Sequence, residues 1–82
     1  MYSKVSEKID VFVAFKQERV EPLIFKWANR YYRIAKVNLI HAERRGRERI
    51  FFFSVSDDAG DAFRLSFSTD SLEWRLEEMA VL

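Results

Sequence analysis

From Ile50 to Leu76 the chain reads IFFFSVSDDAGDAFRLSFSTDSLEWRL, and apolar side chains recur at every second position. Phe51, Phe53 and Val55 make one alternating run, Phe63, Leu65 and Phe67 a second, and Leu72, Trp74 and Leu76 a third. A period of two marks strands with one buried face, because successive side chains of a strand point to opposite sides. Between the first two runs, Asp57-Asp58-Ala59-Gly60-Asp61 suits a three-residue hairpin loop, a type I turn closed by Gly60 in the left-handed region. Pairing Asp57 with Asp61 sets Val55 opposite Phe63, Phe53 opposite Leu65 and Phe51 opposite Phe67, so all six share one face. With residues 69–72 as the next loop, Phe67 stands beside Trp74 and Leu65 beside Leu76.

The rest of the chain extends the pattern. Ile9, Val11, Val13 and Phe15 alternate with Lys8, Asp10, Phe12 and Ala14, which predicts a first strand, with residues 1–7 loose before it and residues 16–19 as a polar connection. Pro22 belongs near the start of the second strand, since it has no N–H to give an interior ladder. Leu23, Phe25 and Trp27 face inward, Ala28-Asn29 turns the chain, and Tyr32 and Ile34 return, with Phe25 opposite Tyr32 and Leu23 opposite Ile34. Beyond Ile34 the inward phase slips by one, to Val37 and Leu39, as a β-bulge near Ala35-Lys36 would make it do. Arg45-Gly46-Arg47 marks the following turn, where two- and three-residue registers set Leu39 or Ile40 opposite Phe53 and both stay open. The C-terminal stretch has a competing helical reading, with Asp70 as cap and Leu72, Leu76 and Met79 at helical spacing. Strict alternation through Leu72, Trp74 and Leu76 favours a strand over residues 72–79. The expected architecture is all-β: one small antiparallel meander of about six strands over residues 1–82, partly or fully closed as a barrel.

Composition bounds this picture. Eighty-two residues make one domain near the size where a single core suffices, and 8 Phe, 3 Tyr and 2 Trp enlarge the area it can bury. Without cysteine there is neither a disulfide nor a thiolate metal site, which fits a reducing cytoplasm. The longest uncharged run, Ile50 to Ser56, is far shorter than the ~20 residues that span a bilayer, and MYSKVSEKID has no signal-peptide core. A cytoplasmic protein without a membrane partner is expected. The net charge of +1 hides a split: residues 16–49 hold ten Lys or Arg against four Glu, a net +6, and residues 50–82 hold two Arg against seven acids, a net −5. Either the two halves neutralise each other or the basic half faces an anionic partner.

Candidate chemistry is sparse. His41 is the single histidine, and Ser54, Ser66 and Ser68 sit at outward strand positions with nothing to activate them. Asp57, Asp58 and Asp61 surround Gly60, yet a calcium loop counted from Asp57 reaches Ser68 where a bidentate Glu is needed. Two glycines cannot build a phosphate cradle. No enzyme, cofactor or metal is expected, which leaves two binding surfaces. Ile50 and Phe52 make their strand apolar on both faces, so the N-terminal segment, a second copy or another protein must cover Phe52. This favours a protein-interaction module that self-associates. The alternative is single-stranded nucleic acid on a face carrying Lys26, Tyr31 and Arg33, extended by Arg30, Lys36, Arg44, Arg45, Arg47 and Arg49, because cations track phosphates while aromatic rings stack on bases.

FKWANRYYRI at residues 25–34 and FRLSFSTDSLEWRLEE at residues 63–78 resemble small bacterial all-β domains with an F-x-W, R-x-Y-x-[IV] hairpin and a closing W-x-L-E-E. The resemblance spans residues 22–79. It implies a compact β-meander without established activity, and it brings no catalytic or ligand residues.

Overall fold

Five short connections dictate the topology. The structure, a computed structural model, describes residues 2–80 and contains six strands: β1 (Ser3–Lys16), β2 (Arg19–Trp27), β3 (Arg30–Arg45), β4 (Glu48–Asp57), β5 (Ala62–Ser68) and β6 (Trp74–Ala80). Links this short force each strand to run antiparallel to the last, since a parallel crossover needs a dozen residues or more. Sequential neighbours pair in order, and β1 returns to β6, so the sheet closes into a ring. Among the described residues no helix is long and apolar enough to cross a membrane.

The turns carry the conformations their residues permit. Gln17 and Glu18 have φ of 44° and 67°, and Ala28 and Asn29 have 52° and 62°. Two consecutive positive φ values make the mirror-image turn whose twist matches that of the flanking strands. Gly46 (φ 62°) opens a two-residue turn between Arg45 and Glu48, which selects the register with Ile40 opposite Phe53. In the β4–β5 turn, Gly60 has φ 87° and donates its N–H to the Asp57 carbonyl at 3.1 Å. The Asp57 carboxylate accepts from the N–H groups of Ala59 and Asp61 at 3.0 and 2.9 Å. This is the loop expected from the sequence, and Val55–Phe63, Phe53–Leu65 and Phe51–Phe67 pair across it.

Bulges set the remaining phases. The slip expected near Ala35 is present, and a second one at Asn38 turns Leu39 outward in place of Ile40. Leu23 also departs from its expected inward place opposite Ile34. Register shifts there, with Phe12 opposite Ile24 and Val13 opposite Pro22, so Pro22 is buried and Leu23 is exposed. Residues 3–7, expected to be loose, belong to β1 and pair with β6 from Ser3–Met79 to Glu7–Leu76; Met1 lies outside the described residues. The helical reading of the C-terminus gives way to a strand that begins at Trp74. Leu72 is a loop residue with φ 60° and an exposed side chain. Each bulge adds local twist, which lets a six-stranded sheet coil far enough to close.

Ile9, Phe25, Phe53, Val55, Phe63, Leu65, Phe67, Trp74 and Leu76 form the buried cluster, with Trp27, Tyr32, Ile34 and Phe51 packed against it. Phe25 stacks on Tyr32 at 4.9 Å, and Phe67 stacks on Trp74 at 4.8 Å. Truncating one of these rings to Ala costs ~3–5 kcal/mol, a large part of what holds a small domain folded. The β1–β6 closure is tied on its outside by Lys8, whose ammonium lies 2.7 Å from Glu73, and by Arg75, which donates to the Ser6 carbonyl at 2.7 Å. The hydrogen bond from Lys8 holds the Glu73 carboxyl below its usual range. The small stability this contributes is complete above the ordinary carboxylate pKa and is lost as pH falls through the lowered value.

Ala28 is, with Gln17, Glu18 and Leu72, a turn or loop residue whose side chain resists its backbone, because a β-carbon disfavours positive φ and Asn tolerates it better. Ala28→Asn should therefore raise stability by about 0.5–1 kcal/mol in urea unfolding. A loss of stability would show that the Ala28 methyl packs usefully in the turn.

Candidate functional site

The longest strand has too short a neighbour. β3 has 16 residues and β2 has 9, yet they pair over only four positions, from Ile24–Arg33 to Trp27–Arg30. Past Arg33, β3 keeps its ladder to β4 as far as Arg45–Glu48 and, among the described residues, has no strand on its other side. Residues 19–23 of β2 likewise pair only with β1. The bulges at Leu23, Ala35 and Asn38 account for the parting, since each bends its strand where the two should run together. Pro22 fits there because it lies beside a bulge and a free edge, the settings in which a strand tolerates a missing donor.

The parting leaves a seam in the ring. A cavity of about 630 Å³ opens there between the two strands, lined by Val20, Val37, Ile40, Phe51 and Phe53. Leu39 and Ile40 at its mouth are 60% and 51% exposed. Asn38, on the bulge, donates to the Ser56 hydroxyl at 2.9 Å and so ties the distorted part of β3 to β4.

Charge is distributed unevenly around this opening. The ion pairs among the described residues are Lys8–Glu73, Lys16–Glu21, His41–Glu43 (if the imidazole is protonated) and Arg64–Glu78. None joins the basic middle of the chain to its acidic end, so the sequence's two halves do not cancel through contacts. Arg33, Lys36, Arg44, Arg45 and Arg47 have no carboxylate within 4.0 Å among the described residues.

The two surfaces expected from the sequence are arranged as follows. Ile50 and Phe52 point outward and are half-buried. The Phe52 ring stacks on His41 of β3 at 5.0 Å and 16°, so this chain itself covers one face of it. Beside Phe52 lies a shallow polar groove, where the hydroxyls of Ser66 and Ser68 donate to Glu77 and Glu48, both at 2.6 Å. His41 is exposed and lies 3.6 Å from Glu43. On the other surface Lys26 pairs with Tyr31 and Ile24 with Arg33, as expected. The Lys26 ammonium sits 5.6 Å from the centre of the Tyr31 ring, and Tyr31 is 63% exposed. Arg30 instead lies over Tyr32 at 5.3 Å. Asp10 is the β1 partner of Lys26 and weakens the local positive field. Arg44, Arg45 and Arg47 stand at the far end of β3, where Arg44 faces Arg49 directly across the ladder. The nine expected cation and ring positions therefore divide between the β2–β3 hairpin and the β3–β4 hairpin end, with Lys36 at the seam.

The seam itself escaped the sequence reading. Its signals were a proline in β2 and a stretch from Arg30 to Arg45 without Gly or Pro that outlasts any partner β2 could offer. Amide hydrogen exchange tests it directly: about every second amide within residues 34–45 should exchange rapidly, while β5, paired on both sides, should exchange only by global unfolding. Uniform protection along β3 would mean that its edge is already covered. No family model, curated protein or solved structure matches this chain, so only its own geometry and charge bear on what it does.

Proposed function

We propose that this chain is a non-catalytic interaction module that receives another polypeptide as an added strand at the β2–β3 seam. The observation that supports this is the free edge of β3 over residues 34–45, directly beside an apolar cavity. An extended chain satisfies such an edge with main-chain hydrogen bonds and fills the pockets beneath it with alternate side chains. A second copy of the chain is one candidate for the added strand and a different polypeptide is the other. Ile50 and Phe52 support that role less, because His41 already stacks on Phe52. Sedimentation velocity over a concentration series, read together with hydrogen exchange, tests the reading. Complex formation should protect residues 34–45, and Leu39→Asp should abolish it while Phe52→Ser leaves it intact. An interface mapping to Phe52 with β3 still exchanging freely would move the site to the outer face.

A second reading, single-stranded nucleic acid, rests on one specific contact, the exposed Tyr31 ring beside Lys26. A labelled single-stranded oligonucleotide should then bind with an affinity that falls steeply with salt. Tyr31→Ala should remove ~1–3 kcal/mol of stacking. No change in anisotropy at low salt would exclude this face as a strand-binding platform.

A further inference from the structure

We infer that the strand received at the seam comes from a different protein and is acidic, with apolar residues at alternate positions. This rests on the interaction reading above and deepens it by naming the occupant's chemistry. The free edge, residues 34–45, holds Lys36, Arg44 and Arg45 against Glu43, a net charge of +2, and Arg33 adds a fourth cation at the last β2 pair. The β2 wall offsets only part of this: Glu18 and Glu21 line the seam with Arg19, a net −1, and Glu21 is 3.9 Å from Lys16. Two copies of this chain pairing edge to edge would bring +2 against +2, and like charges on facing strands are unfavourable. An acidic strand replaces that repulsion with attraction.

The pleat divides the occupant's side chains into two sets. Val37 and Ile40 pair with Val55 and Phe53 of the core face, and the cavity lies on that side. Arg33 pairs with Ile24 and Arg45 with Glu48 on the outer side, and the bulge at Ala35 keeps Lys36 outward as well. The outer face of the edge runs Lys36, Leu39, His41, Glu43 and Arg45, so an added strand meets apolar lining at alternate residues and cations on its other face near both ends. Nucleic acid does not answer the same features, since it cannot continue a main-chain ladder.

The test uses the full chain and fluorescein-labelled peptides of about ten residues. One alternates Glu with Val, one alternates Lys with Val, and one places its Glu and Val residues in two blocks. Anisotropy should show binding of the alternating acidic peptide only, weakening with salt, with new protection over residues 34–45. The Arg33→Glu/Lys36→Glu variant, altered at exposed outward positions, should bind that peptide about tenfold more weakly or worse and should favour the alternating Lys peptide. Equal binding of the block peptide would overturn the pleated-strand geometry. Equal or tighter binding of the Lys peptide to the unaltered chain would overturn the acidic assignment. Should the chain dimerise through a protected β3 and ignore all three peptides, the foreign occupant falls while the interaction module stands. With neither dimer nor peptide binding, and β3 exchanging freely throughout, both fall.

Discussion

Every N–H and C=O of a sheet must meet another strand, a side chain or water, and in this molecule that requirement is met around almost the whole ring. The exception follows from length. A strand of 16 residues cannot be matched by a neighbour of 9, and bulges on both strands turn them apart after four pairs. The ring therefore closes where β1 and β6 meet, 69 residues apart at the Arg75–Ser6 hydrogen bond, and opens where two consecutive strands would ordinarily be joined most securely. The core bridges the opening: Phe63, Leu65 and Leu76 are buried on β5 and β6, Phe25 is fully buried on β2, and Phe53 of β4 lines the cavity itself.

The same asymmetry explains what could be read in advance. From Phe51 to Phe67 the alternation is clean, and Asp57 and Gly60 suit one loop, so the inward residues of β4 and β5 pair as the sequence predicts. Phe67–Trp74 and Leu65–Leu76 followed from that face. Reading became harder wherever the period of two was interrupted. One slip at Ala35 shows in the sequence because Ile34 and Val37 cannot both face inward without it. The slip at Asn38 is silent, since Leu39 and Ile40 are equally apolar and exchange places with no change in pattern. Leu23 is silent for the same reason: Leu23 and Ile24 are both acceptable to a core, and Pro22 gives no apolar cue for the burial it attains.

Surface chemistry was less legible than packing. The charge split is a property of the linear chain, and only the coiling of the sheet decides which cations share a face. β3 carries its basic residues at both ends, so a group that looks continuous in sequence, from Arg30 to Arg49, becomes two groups with the seam between them. Phe52 shows the converse case. Its partner His41 lies 11 residues away, and nothing short of the β3–β4 register places the two rings together.

An unpaired edge beside apolar surface is a hazard, since it can template indiscriminate pairing with other chains. Natural sheets guard such edges with bulges and with charged residues, Lys above all. β3 has both, with bulges at Ala35 and Asn38 and cations at Arg33, Lys36, Arg44 and Arg45. The guard has a sign, however. Repulsion between like charges disfavours edge-to-edge pairing of two copies, and on the reading proposed above the same field attracts an acidic segment. A neutral guard, such as a second proline or a covering loop, would exclude all comers alike. Cations without carboxylate partners among the described residues discriminate by charge instead, which is what that reading asks of an open edge.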